Sequence, residues 1–190
     1  MHRVIGIAFI LFVLVAIGHT QVPGGNVFVG YSYMSADLAS SGRTNLNGWN
    51  GSVEGKFLPF IGIVGDVSGN YGGSLPVNVI ACQGVVPVNG CPTASASTNI
   101  HSFLFGPRVS ASVGKFRPFA QALIGAAHIS ESASGFSDSD TSFAYALGGG
   151  IDYHLIPLVS WRVQGDLLKT RFFGNTQDNV RISTGIVVHF

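Results

Sequence analysis

The sequence has little charge: Asp, Glu, Lys and Arg make up 10% of its 190 residues, whereas apolar residues make up 46%. Soluble globular proteins carry roughly 25% charged residues, so this composition excludes an ordinary water-covered surface. Beyond the N-terminus the chain also lacks any apolar run that approaches the ~18 consecutive residues of a membrane-spanning helix. The apolar residues must therefore follow a different pattern.

The chain also lacks an excess of one sign of charge and has only two cysteines. Its formal net charge of +1 excludes the strongly basic surface that nucleic-acid binding requires. Cys82 and Cys91 enclose a stretch rich in turn-forming residues, and in an exported chain we interpret them as one disulfide. Unpaired thiols or half of a metal site are the alternatives, but no second cysteine pair or nearby histidine supplies further ligands. We predict no cofactor and no metal.

The N-terminus has the order of a secretory signal peptide. A basic start at Arg3 is followed by the uncharged stretch from Val4 to Ile17 and then by small residues. We predict a signal peptide over residues 1–18, cleaved after Gly18 or alternatively after Thr20, and a barrel domain over residues 19–190. An uncleaved membrane anchor is the alternative, although the apolar stretch is short for a span.

From Asn26 onward, eight segments alternate apolar and polar residues with a period of two. This alternation is typical of strands that have one apolar and one polar face. In the clearest segment, Val159 to Phe172, Trp161 lies on the apolar face and Arg162 on the polar face. The pattern predicts an all-β fold, an eight-stranded antiparallel up-and-down transmembrane β-barrel. A soluble lipocalin-like barrel shows the same alternation and is the alternative.

The distribution of charge favours the membrane barrel, whose apolar face meets lipid and whose polar face lines the lumen. Four acids and four bases fall on the polar faces, and the remaining charges, including Arg117, are assigned to connections or their rims. We expect Glu54 and Arg108 to belong to one network. The predicted lumen polar network comprises Glu54, Lys56, Asp66, Arg108, Asp152, Arg162, Asp166 and Arg181.

Aromatic residues and connections favour the same topology. Aromatic side chains on the apolar face gather near segment ends, as two girdles at the water interfaces would. Short connections alternate with the longer Ala39–Asn45, Gly72–Thr98 and Ser130–Asp140, and the short ones would be periplasmic. One predicted girdle comprises Tyr31, Tyr33, Trp49, Tyr71, Phe143 and Tyr145, and the other Phe57, Tyr153, Trp161 and Phe190.

The sequence resembles the OmpA-like family of eight-stranded outer-membrane barrels in its stand-alone form. The resemblance rests on short stretches such as Phe105–Arg108, Arg117–Phe119, Gly148–Asp152, Arg162–Asp166 and the C-terminal strand from Arg181. It implies location in the bacterial outer membrane and insertion by the outer-membrane assembly machinery. That machinery would read a terminal signal of Ile182, Ile186, Val188 and Phe190. Because the chain stops there, we expect no peptidoglycan-binding domain beyond the barrel.

The leading hypothesis is a non-enzymatic barrel that contributes to envelope integrity and to surface interaction through its long loops. A narrow pore is the first alternative. A lipid A-modifying enzyme is the second, and it is disfavoured because the histidines show no recognisable Ser-His-acid spacing. The expected partners are outer-membrane lipids, lipopolysaccharide and the assembly machinery, with no nucleic acid, and the expected state is a monomer.

Overall fold

The computed structural model describes residues 24–38, 42–78, 93–133, 136–171 and 176–190. The predicted signal peptide over residues 1–18 lies outside the described residues, as do Cys82 and Cys91 with their predicted disulfide. Within the described ranges, no helix is long and apolar enough to cross a membrane.

Eight strands pair in chain order and close into one barrel, with every neighbouring pair antiparallel. The predicted all-β, eight-stranded, antiparallel up-and-down barrel is therefore confirmed. The strands are β1 (Gly25–Leu38), β2 (Gly42–Leu58), β3 (Ile61–Asn78), β4 (Thr93–Ser110), β5 (Phe116–Ala133), β6 (Phe136–Ile156), β7 (Val159–Thr170) and β8 (Gln177–His189).

Pairing between the first and last strands closes the barrel. The β1–β8 register runs from Asn26 opposite His189 to Ser35 opposite Val180. Gly30 lies directly opposite Gly185, and a Cβ atom at position 185 would overlap the Gly30 Cα atom, so glycine permits the close approach here. A closed barrel pairs its edge strands with each other, so it leaves no open edge with unpaired backbone groups.

The strands on the long-loop side extend further than the sequence analysis predicts. β2 begins at Gly42 inside the predicted loop Ala39–Asn45, and β5 and β6 pair through most of Ser130–Asp140. β3 and β4 likewise continue into Gly72–Thr98. These loop boundaries were wrong because ladder hydrogen bonds join backbone groups and do not need alternating side chains. A membrane strand needs ~9–11 residues, so the 21-residue β6 is longer than a span requires.

The alternation of side chains places one face of each strand inside the barrel. In β7, Leu168 is fully buried while its neighbour Leu167 is 59% exposed on the outer surface. The outer surface carries many large apolar side chains, including Phe103, which is 60% exposed. The lipid-facing and lumen-facing parities follow directly from the period-two pattern, because successive side chains of a strand point to opposite faces.

The inside of the barrel is only partly polar, which corrects the expectation that polar residues fill the lumen. A group of buried apolar side chains, here called the apolar cluster, occupies the interior toward the long-loop side. Alternation failed to show it for two reasons. At Leu46, Ile100 and Ile129 the pattern is reversed, because the apolar side chain faces inward between polar neighbours. At Leu104 and Leu123 both faces of the strand carry apolar residues. The cluster comprises Met34, Ala36, Leu46, Val64, Ile100, Leu104, Leu123, Ala127, Ile129, Ala144, Ala146 and Leu168, and all but Val64 lie away from the short turns.

Candidate functional site

A continuous network of buried polar side chains occupies the interior toward the short turns. Every strand contributes at least one member, because each has an inward-facing polar residue at this level. Hydrogen bonds and ion pairs connect all of the members. The ionic network, as it is called here, comprises Asn26, Asn50, Glu54, Asp66, Arg108, Gln121, Asp152, Arg162, Gln164, Asp166 and Arg181.

Arg181 forms two ion pairs at the centre of the ionic network. Its Nη1 lies 2.9 Å from Asp66 Oδ1, and its Nη2 lies 2.8 Å from Asp166 Oδ2. Nη1 also donates to Ser68 Oγ at 3.0 Å. Asp66 lies on β3, which is not a neighbour of β8, so this ion pair crosses the interior of the barrel. A planar guanidinium with several fixed donors suits such a branched junction.

Two amide side chains extend the network from Asp66 and Asp166. Asn50 donates to Asp66 Oδ2 at 2.8 Å and accepts a hydrogen bond from Gln164 Nε2 at 3.0 Å. Gln121 donates from Nε2 to Asp166 Oδ1 at 2.7 Å. Because β2 and β7 are not adjacent, the contact between Asn50 and Gln164 is a second link across the barrel.

Gln121 connects this centre to a second ion pair. Its Oε1 accepts hydrogen bonds from Arg108 Nη2 at 2.6 Å and Nε at 3.0 Å. Arg108 Nη1 lies 3.1 Å from Glu54 Oε2, and both side chains are buried. The two residues that we expected in one network therefore meet directly.

Asn26 connects the second ion pair to a third. It donates from Nδ2 to Glu54 Oε2 at 2.6 Å and accepts from Arg162 Nη2 at 3.4 Å. Arg162 binds both oxygens of Asp152, with Nε donating to Oδ1 at 2.6 Å and Nη2 to Oδ2 at 2.9 Å. Each carboxylate of the ionic network thus accepts a hydrogen bond from an arginine, which offsets the cost of burying both charges.

Phe119 is an interior aromatic residue to which the sequence analysis assigned no role. Its ring centroid lies 4.4 Å from Arg108 Cζ and 4.7 Å from Arg162 Cζ, within the range of cation–π contacts. Phe28 makes a similar contact with Arg162 at 5.2 Å. Both rings have inward parity, which is the sequence signal that could have identified them.

Two basic residues lie apart from the ionic network at the short-turn end. Lys56, predicted as a network member, is buried inside the barrel but forms no ion pair among the described residues. Arg117 was assigned to a connection or its rim, and it lies at the rim as the second residue of β5, with its side chain buried inside the barrel. The alternation continues through Arg117, Phe119 and Gln121, so all three face inward.

The structure also brings together a serine and two histidines from three different strands. Ser160 Oγ lies 2.8 Å from His154 Nδ1 and 2.8 Å from His189 Nε2, and the two imidazole rings are 5.2 Å apart. Asp152 is the carboxylate nearest in sequence to His154, and it binds Arg162 instead. Ser160 is itself fully buried. The trio therefore has a serine and bases but neither an accessible nucleophile nor an orienting acid.

No group of three or more His, Cys, Asp or Glu side chains among the described residues could hold a metal ion. Inside the barrel the charged side chains are held by hydrogen bonds and ion pairs with one another. These contacts supply structural cross-links between strands.

The outer face carries the predicted girdle aromatics and the predicted terminal signal. Trp161 donates from Nε1 to Thr184 Oγ1 at 2.9 Å, and Tyr31 donates to Asn47 Oδ1 at 2.6 Å. Aromatic rings with polar tips of this kind suit the boundary between lipid and water. The four residues of the terminal signal are all exposed on the outer surface: Ile182, Ile186, Val188 and Phe190.

Solved barrel structures resemble this chain, whereas no protein-family model and no curated protein matches it. Ail, the attachment invasion locus protein of Yersinia pestis, is 15% identical with a TM-score of 0.60, covering 88% of this chain and 98% of that chain. Neisserial surface protein A is 12% identical with a TM-score of 0.65, covering 87% and 97%. The N-terminal β-barrel domain of Pseudomonas aeruginosa OprF is 11% identical with a TM-score of 0.54, covering 87% and 97%. At these identities the likeness shows the fold.

Proposed function

We propose that this chain is an integral outer-membrane β-barrel that is neither an enzyme nor a channel, contributes to envelope integrity, and presents its long-loop hairpins for surface interaction. One observation carries the proposal: the outer surface is apolar, while the ionic network and the apolar cluster fill the interior. The resemblance to the OmpA-like family and the likeness to Ail, a Yersinia pestis outer-membrane protein, support the same assignment.

The apolar outer surface and the buried charges, the reverse of a soluble protein, support lipid around the barrel. Phe103, Phe143 and Leu167 are each more than half exposed, whereas Arg108, Arg162 and Arg181 are almost fully buried. In water this arrangement would leave a large apolar area hydrated, at about 25 cal/mol per Å². In a bilayer the same side chains contact acyl chains, and the closed barrel satisfies its own backbone groups.

The interior argues against ion conduction. The Arg181–Asp66 and Asn50–Gln164 contacts cross the barrel, so the ionic network obstructs the lumen near the short turns. The apolar cluster, including Leu123 and Ile129, fills the next part of the lumen toward the long loops. An apolar constriction excludes water and thereby ions. The narrow pore therefore remains only an alternative for the test below.

The Ser160 trio argues against hydrolysis of lipid. Acyl transfer would require a serine that substrate can reach and a histidine oriented by a third group. Ser160 is buried, and Asp152 is engaged by Arg162. We therefore interpret the trio as a set of hydrogen bonds that holds β6, β7 and β8 together at the short-turn end.

The proposed partners follow from the two surfaces of the barrel. Outer-membrane lipids and lipopolysaccharide would cover the apolar outer band. The assembly machinery would read the exposed residues from Ile182 to Phe190 during insertion. We propose a monomer, and the near-neutral chain offers no basic surface for nucleic acid.

Membrane fractionation combined with conductance measurement tests the proposal. We expect the protein in the outer-membrane fraction, extracted only by detergent and showing heat-modifiable gel mobility. In planar bilayers the wild-type protein should give no steady channels. Recovery in the soluble periplasmic fraction would refute the membrane location.

Arg162→Gln and Lys115→Gln distinguish a true lumen current from leakage. Arg162 belongs to the ionic network, whereas Lys115 is exposed in the turn before β5. The proposal would be wrong, and the protein a pore, if the wild type gave steady channels whose ion selectivity changed with Arg162→Gln but not with Lys115→Gln.

A further inference from the structure

The short-turn mouth of the barrel contains two nearly buried cations without carboxylate partners. Lys56, near the end of β2, is 8% exposed, and Arg117, at the start of β5, is 7% exposed. Within the described ranges neither forms an ion pair. Arg117 donates from Nε and Nη2 to Ser110 Oγ, a neutral acceptor, at 3.2 and 3.0 Å. Asp152 lies opposite Arg117 in the β5–β6 register, but its ion pair is with Arg162.

The three arginines of the ionic network provide the contrast. Arg108, Arg162 and Arg181 each contact at least one carboxylate within 3.1 Å. Burying a charge is costly unless a counter-charge and hydrogen bonds accompany it. Each arginine of the ionic network therefore has a carboxylate in an ion pair, whereas among the described residues the two cations at the mouth have none.

An open cavity of about 370 Å³ lies against these cations. Its lining includes Lys56, Arg117, Ser112 and His189, and no Asp or Glu side chain. His189 uses Nε2 for its contact with Ser160 Oγ, so Nδ1 is the ring nitrogen not engaged there. The cavity thus combines two cations with further hydrogen-bond donors.

Phe190 also lines the cavity. Its carbonyl oxygen accepts a hydrogen bond from Gly25 N at 2.8 Å, in the contact that closes the barrel.

We propose that the short-turn mouth binds one oxyanion group, a phosphate or a carboxylate, between Lys56 and Arg117 with His189 beside it. Guanidinium and ammonium groups form strong charge-assisted hydrogen bonds with such oxygens. In the proposed membrane orientation the mouth opens into the periplasm. The ligand is therefore either a dissolved anion or an oxyanion group carried by a larger envelope molecule.

Titration of the folded, detergent-solubilised full-length protein with inorganic phosphate tests the site. Isothermal titration calorimetry at constant ionic strength should show saturable binding of about one phosphate per chain. Lys56→Gln and Arg117→Gln should each weaken binding at least about tenfold, because each removes one charged donor. Heat-modifiable gel mobility shows that each variant is folded.

Lys115→Gln is the matched control. It removes the same charge at the same end of the barrel, but from an exposed turn position outside the cavity lining. Its phosphate affinity should equal that of the wild type. An equal loss in Lys115→Gln would mean general electrostatic attraction and would overturn the proposal.

Parallel titrations with glycerol phosphate and acetate distinguish the ligand sources. Binding of glycerol phosphate as tightly as inorganic phosphate supports a site for a phosphate on a larger molecule, and its failure supports the free ion. Binding of acetate alone supports a carboxylate. If none of the three probes binds saturably to the wild-type protein, the proposal is wrong.

Discussion

The two regions inside the barrel are held together by different interactions. The ionic network uses directional contacts between strands that are not neighbours, such as Arg181 with Asp66. The apolar cluster fills the interior toward the long loops with side chains such as Leu123 and Leu168. The difference teaches that the network fixes which strands meet across the barrel, whereas the cluster excludes water. Three substitutions can break or refine this comparison.

The largest effect is expected from Arg181→Met. The variant leaves Asp66 and Asp166 buried without their shared cation, and breaking a buried ion pair costs about 3–5 kcal/mol. Urea unfolding in phospholipid vesicles measures the loss. The triple variant Asp66→Asn, Asp166→Asn, Arg181→Met should recover much of it, because it removes the uncompensated charges. A loss below about 1 kcal/mol for Arg181→Met would show that the network does not cross-link the barrel.

An intermediate effect is expected from Leu168→Ala, compared with Leu167→Ala in the same strand. Leu168 faces the apolar cluster and is fully buried, so truncation leaves a cavity and should cost about 3 kcal/mol. Leu167 faces outward, where mobile lipid fills the space, so only the transfer term of about 1–2 kcal/mol is lost. The same unfolding assay measures both. Equal losses would mean that the cluster is not tightly packed.

The smallest effect is expected at the boundary between the two regions. Ser102 shares a hydrogen bond with Ser68 at 2.7 Å, and Arg181 also donates to Ser68. Ser102→Ala removes one hydrogen bond and should cost about 0.5–1.5 kcal/mol, because Ser68 keeps its arginine contact. Ser68→Ala also removes an acceptor of Arg181 and should cost more. The reverse order would show that the network ends before Ser68.

Much of the fold could be predicted because alternation is a local property. In β7, the order of Trp161, Arg162 and Val163 is enough to assign each side chain to a face of the strand. The apolar cluster escaped prediction because its segments either carry apolar residues on both faces, as at Leu123, or reverse the pattern, as at Leu46 between two asparagines. The rim position of Arg117 could be predicted from the neighbouring turn, whereas its inward direction was missed although the parity of Phe119 and Gln121 extends to it.

The candidate site was predicted in part for the same reason. Seven of the eight predicted charges lie in the ionic network, because inward parity is readable from the sequence. Lys56 has the same parity, but no carboxylate reaches it. The Ser160 trio could be found only with the strand register, since His189 lies 29 residues from Ser160.

By itself the sequence determined the number of strands, the face of the side chains in the clearly alternating segments and the shortage of charge outside the barrel, because these follow from a period of two and from composition. Only the tertiary structure decided which charges meet. Asp66 and Arg181 are separated by 115 positions and lie on strands that are not neighbours, so their contact exists only once the barrel has closed. Closure likewise placed Lys56 and Arg117 at the mouth without an ion pair among the described residues, because Asp152, opposite Arg117 in the β5–β6 register, binds Arg162.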